Sequence, residues 1–185
     1  ADMPGAVKNR FLEIFADTYE KTAWGQIVDL LNTQPAELDP QSPLPEQVCL
    51  LKTAWYTMCN PLLMGRALRG CAPDAEDGQV QSFALPLGVA FQLRDDLLGV
   101  FGNHGETGKS ADSDLMEGKL TILAQEAMRR LDRADRHTFA GLLAREAKSP
   151  EDCASLRRMM ETSGARAAVT ARMFDELSRS QQALE

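Results

Sequence analysis

The sequence holds no run approaching the ~20 consecutive apolar residues that span a bilayer, and no basic segment followed by an apolar core marks its N-terminus as a signal peptide. A soluble, cytoplasmic protein without stable membrane insertion is expected. Cysteine is sparse: Cys49, Cys59, Cys71 and Cys153 form no C-x-x-C pair, and only His104 and His137 could join them. This spacing gives no zinc site and leaves reduced thiols. Basic charge is in deficit, with 20 Lys and Arg against 27 Asp and Glu and a formal net charge of -7. Nucleic acid is thereby disfavoured as a partner, because a polyphosphate is drawn to a basic face. A small anionic substrate would need a divalent cation to bridge its phosphates to protein carboxylates. Also lacking is any alternating stretch of useful length, so strands are not expected and the fold class is all-α.

What is present is helical periodicity. The 185 residues, 44% of them hydrophobic, suffice for a single helical domain over 1–185. From Pro4 to Leu31, Phe11, Ile14, Phe15, Trp24, Ile27, Val28 and Leu31 recur largely at three and four residue spacings, which predicts an amphipathic helix. The segment Thr33 to Pro45 carries four prolines and reads as a loop. A second helix runs from near Pro45 to Gly70 with a kink at Pro61, and a third from about Gln79 to Phe101 with a bend at Pro86. Residues 102–117 are polar and glycine-containing and read as a loop. Further helices are expected at Leu120 to Leu131, Asp135 to Ala147 and Pro150 to Leu184, the last broken near Gly164 and begun by Ser149 as N-cap. The architecture is an antiparallel helical bundle.

The strongest chemical feature is Phe91-Gln92-Leu93-Arg94-Asp95-Asp96-Leu97-Leu98-Gly99. Gln92, Asp95, Asp96 and Gly99 fall at i, i+3, i+4 and i+7 and share a helix face. Paired carboxylates repel unless a cation lies between them and a third group, and magnesium is the natural one. The alternative is a solvated face, as for most charged pairs on helices. Lys52 upstream and Lys109 and Lys119 downstream tip the balance, since carboxylates that hold metal beside lysines that hold phosphate make a diphosphate site. His104 and His137 read as surface residues. Trp55, Phe83, Phe91 and Phe101 are read as core rather than as the lining of an apolar tunnel.

These residues carry a resemblance. The run FQLRDDLLGVFG, then TGK at Thr107 to Lys109 and DLMEGKLT at Asp114 to Thr121, resembles the second aspartate-rich region of the trans-isoprenyl diphosphate synthases, the farnesyl and geranylgeranyl diphosphate synthase group. Lys52-Thr53, followed by Pro61 and Gly65, resembles the family's Lys-Thr helix, and Gly25-Gln26 with Asp29-Leu30 its GQxxDL segment. The resemblance implies a partial isoprenoid synthase fold and condensation of isopentenyl diphosphate with an allylic diphosphate. It implies that Asp95 and Asp96 ligate Mg2+, that Lys52, Lys109 and Lys119 contact diphosphate, and that Thr53 and Gln92 stabilise the allylic cation or orient substrate.

Two departures accompany it. The family's second motif ends in a third Asp where this chain has Gly99, a form that resembles one branch of geranylgeranyl-type synthases, and Asp112 or Asp114 is the candidate replacement. Residues 1–90 also contain no second Asp-Asp pair, so the family's first Asp-rich motif is missing. The chain is therefore expected to be the C-terminal half of a synthase whose N-terminal half is cleaved, deleted or not included, and to be inactive alone. It would act as a homodimer or paired with the missing half. The alternative is a non-catalytic subunit that binds a complete synthase and modulates product length.

Overall fold

The computed structural model describes residues 3–31, 39–73, 75–102 and 113–185. Among them there are helices and no strands, as expected from the periodicity. α1 covers Gly5–Leu31 and α2 Leu44–Val48; a π-helix covers Cys49–Cys59, followed by α3, Asn60–Leu68. Then come α4, Ala75–Phe101, α5, Ser113–Glu117, α6, Ile122–Arg130, and α7, Arg133–Leu143. The last two are α8, Pro150–Thr162, and α9, Ala165–Gln182.

Local chemistry explains the boundaries. Thr121, Asp132 and Ser149 are N-caps whose side chains accept from the backbone N–H groups of Ala124, Asp135 and Asp152. Ser149 and Asp152 form a reciprocal capping box with Pro150 in the first turn. Gly70 and Gly164 take φ of +81° and +78°, which ends α3 and separates α8 from α9.

The second expected helix differs. Its middle is a π-helix, and Pro61 falls at the second position of a fresh α-helical segment, where no N–H is required. The register change thus accommodates the proline that sequence reasoning assigned to a kink. α4 begins four residues earlier than the periodicity indicates and passes through Pro86 as one element. One turn away, the Ser180 hydroxyl donates to the Phe83 carbonyl at 2.8 Å, the kind of side-chain support that a proline in a helix calls for. Within 102–117, read as loop, Ser113–Glu117 is a short helix. α7 stops at Leu143, short of Ala147.

The packing divides into two compact units. The first comprises residues 1–28, 47–92 and 174–185. Its core is Ile14, Cys59, Leu63, Ala67 and Ala84, with Trp55, Met58 and Phe83 packed against it. The second comprises residues 29–46 and 93–173, and its fully buried side chains include Leu93, Leu115, Leu123, Phe139, Leu143 and Leu156. There Arg157 donates to the Val100 carbonyl at 2.8 Å, and Arg166 lies over the Phe101 ring. Cations at the C-terminal end of α4 complement the orphan carbonyls and the helix dipole. Phe91, read as core, is exposed.

Candidate functional site

In the first unit, Thr53 lies in the π-helix and Gln92 on α4, and the sequence offers no local reason for them to meet. They do: Thr53 Oγ1 donates to Gln92 Oε1 at 2.6 Å, with Thr53 buried and Gln92 half-buried. Two glycines set this geometry. A Cβ at Gly25 would lie 2.7 Å from Lys52 N, and one at Gly88 would lie 2.5 Å from Ala54 Cα. Backbone therefore packs on backbone on both sides of the Lys52–Ala54 segment, an approach only glycine permits. The π-helical register at this point is of a kind that concentrates at functional sites.

The next turn of α4 carries the carboxylates. Asp95 is exposed, whereas Asp96 is only 4% exposed. A buried carboxylate on an otherwise apolar helix is costly unless it is partnered, so the solvated-face alternative does not describe Asp96. In the second unit, to which Asp95 and Asp96 belong, a Cβ at Gly99 would collide with the Asp114 carboxylate. Asp114 thus fills, from α5, the space that a side chain one turn beyond Asp95 would occupy. Lys109 and Asp112, together with Thr107 and His104, lie outside the described residues. His137 is exposed, as read from the sequence.

Lys119 follows α5 through Gly118, whose φ is +71°. Its Nζ pairs with Glu117 at 2.6 Å. Burial alone would lower the Lys119 ammonium, but the Glu117 hydrogen bond and the charges of Asp29, Glu117 and Asp114 outweigh it and raise the pKa above the usual lysine value. Lys119 is therefore held protonated among carboxylates. Asp29, the acidic residue of the Gly25-Gln26 segment, was not assigned a role by the sequence, and only the fold brings its charge to bear on Lys119.

Among the described residues no group of three or more His, Cys, Asp or Glu side chains is placed to hold a metal ion. The donor set still fits magnesium, which binds through one or two carboxylates and completes its octahedron with waters and substrate phosphate oxygens. Asp95 and Asp96 offer that minimal set.

The polyprenyl synthetase family model matches residues 3–160. The farnesyl pyrophosphate synthase of Gallus gallus is 28% identical over 160 residues, covering 85% of this chain and 43% of that protein. The octaprenyl diphosphate synthase of Escherichia coli K12 is 32% identical over 119 residues, covering 64% of this chain and 36% of that protein. The chain thus spans less than half the length of these relatives. A crystal structure of geranylgeranyl pyrophosphate synthase from Corynebacterium glutamicum, complexed with isoprenyl diphosphate and magnesium, superposes with a TM-score of 0.85 at 30% identity, covering 97% of this chain and 50% of that one. By its sequence from residue 3 to residue 160 and by its all-α fold, the chain belongs to the polyprenyl synthetase family.

Proposed function

We propose that this chain carries the second-aspartate-motif half of an isoprenyl diphosphate synthase of geranylgeranyl type, which condenses isopentenyl diphosphate with an allylic diphosphate. The observation that carries the reading is the hydrogen bond from Thr53 to Gln92 on the helix whose next turn bears Asp95 and Asp96. It engages the Gln92 side-chain carbonyl and so fixes the orientation of the Gln92 amide at this point of α4. Asp95 and Asp96 would hold magnesium, which when bound neutralises the departing diphosphate. Lys119 adds positive charge on the same side of the balance, as do Lys52 and Lys109, and Asp114 supplies the carboxylate that Gly99 lacks. Product length is assigned to the geranylgeranyl class from the Asp-Asp-Leu-Leu-Gly form of the motif alone.

The test is magnesium-dependent binding of inorganic pyrophosphate, measured by calorimetry. An Asp95→Asn/Asp96→Asn double variant should weaken it about 100-fold, the scale of losing charge stabilisation at such sites, and Asp114→Asn about tenfold. Equal affinity in the native and double-variant chains would sink the assignment.

A second reading is favoured by a separate observation. Leu12, Phe15, Tyr19 and Ile27 on α1 are all exposed, and a large apolar patch normally marks a partner surface. In that reading the chain is a non-catalytic subunit of a complete synthase. Condensation of labelled isopentenyl diphosphate with farnesyl diphosphate separates the two. Activity gained when an N-terminal synthase half is supplied supports a catalytic half, whereas altered product length in an already active longer synthase supports the subunit.

A further inference from the structure

Lys148 lies outside every motif named above, in the turn between α7 and α8, yet it is only 7% exposed. Its Nζ donates to the Arg145 carbonyl at 2.7 Å and to the Met116 carbonyl at 3.3 Å. One acceptor lies just past the C-terminal end of α7 and the other in α5. Burial pushes the Lys148 pKa below the usual lysine value, and the nearby Cys153 and Asp152 charges only partly oppose that. An apolar side chain could fill this space at lower desolvation cost, since buried ionic groups are often replaced by hydrophobes without loss of stability. What the ammonium supplies in exchange is direction: it ties two carbonyls from different elements to one point.

The turn it ties is the one that carries the site. Gly118 follows α5 with φ +71°, and a Cβ there would come 2.6 Å from the Leu143 carbonyl oxygen and 3.2 Å from Lys148 Nζ. Immediately before this turn is Asp114, packed on Gly99, and immediately after it is Lys119. Leu115 and Leu120 are buried on either side. The turn has hydrophobic anchors at both ends, and in its middle Lys148 donates to the Met116 carbonyl, the Cys153 thiol reaches the Met116 sulfur at 3.6 Å, and Gly118 packs against the Leu143 carbonyl.

We propose that Lys148 is a positioning residue, a clamp that holds the 115–120 turn against the end of α7 and thereby sets where Asp114 and Lys119 present their charges to diphosphate and its cation. The link to diphosphate rests on the function proposed above; the clamp itself does not.

The experiment compares Lys148→Met, Lys148→Arg and the native chain by hydrogen exchange at residues 115–120 and by magnesium-dependent inorganic pyrophosphate affinity, with the thermal midpoint followed throughout. Lys148→Met should raise exchange in this segment and weaken pyrophosphate binding about tenfold, the usual scale for losing a group that orients ligands from behind. The thermal midpoint should hardly move, and Lys148→Arg, which keeps the donors, should recover most of the affinity. Unchanged exchange in Lys148→Met overturns the clamp. Raised exchange with affinity within twofold of native overturns the positioning role. If the native chain binds no pyrophosphate in magnesium, the proposed function fails, and the exchange result decides the clamp by itself. Should Lys148→Met not fold, Gly118→Ala, whose Cβ would press on the Leu143 carbonyl and Lys148 Nζ, displaces the same turn and is held to the same two outcomes.

Discussion

Burial pushes the Cys59 thiol from its ordinary 9.0 up to about 12; the charges of Asp17 and Asp77 add to the shift and that of Lys21 opposes it. Because the folded value is raised, the thiol's contribution to stability is complete below pH 9.0 and is lost as pH climbs toward about 12. Urea unfolding across that window should therefore show native stability falling with pH, and a Cys59→Ala variant should fall less steeply. Identical slopes would mean that the thiol is not the linked group. The same burial predicts slow alkylation of Cys49, Cys59 and Cys153 in the folded chain, with half-buried Cys71 reacting first. At this scale the sequence identified chemistry better than environment. It paired Asp95 with Asp96 because they are adjacent, but adjacent helical residues point roughly 100° apart, and one is exposed while the other is buried. The roles of Asp29 and Lys148 depend on contacts between elements distant in the chain, and nothing in local spacing announces them, whereas Asp114 was already a candidate for the carboxylate missing at Gly99.

Helix existence was legible because apolar periodicity and caps are local properties. Ser149 and Gly164 were read correctly for that reason, while residues 33–38 of the expected proline-rich loop lie outside the described residues. The π-helix was not, since a pattern judged against 3.6 residues per turn absorbs a change of hydrogen-bond register without losing its apolar face. What sustains that register is tertiary: Gly25 from one side and Gly88 from the other admit the π-helix backbone at contact distance. Gly88→Ala should cost about 1–3 kcal/mol, the scale of overpacking a close-packed interior, and should disturb the Thr53–Gln92 hydrogen bond it backs. Gly65→Ala is the internal comparison. It lies in α3 with nothing within 4 Å of its added Cβ, so it should stabilise by roughly 0.5–1 kcal/mol through helix propensity alone. Urea midpoints of the two variants moving in the same direction would show that the glycines are not distinguished by packing.

For the molecule as a whole, α1 is the unusual element. Ile14, Thr18 and Gly25 are its buried residues, while Leu12, Phe15, Tyr19 and Ile27 line the opposite face, Tyr19 at 73% exposure. The sequence predicted an ordinary amphipathic helix here; a helix apolar on two faces instead calls for cover on both. We expect the purified chain to sediment above its monomer mass of 20.3 kDa, and Phe15→Lys/Tyr19→Lys to return it to monomer. A native chain that remains monomeric at about 100 μM, a concentration at which an interface worth roughly 8 kcal/mol is nearly saturated, would remove the surface from consideration. Family membership was legible at this scale because Lys52-Thr53, the Asp95–Asp96 pair and the Asp114 to Thr121 segment keep their order along the chain, and order survives when individual contacts cannot be foreseen. The two apolar faces also have a consequence for how this segment can change over generations. A helix with one wet side lets half its positions drift toward any polar residue, and its record of accepted substitutions beats with the helical turn. Along α1 that beat should be faint: once its outer face is covered, Phe15 and Tyr19 are under the same selection as Ile14, and the freedom to vary contracts to the narrow polar margins between the two faces.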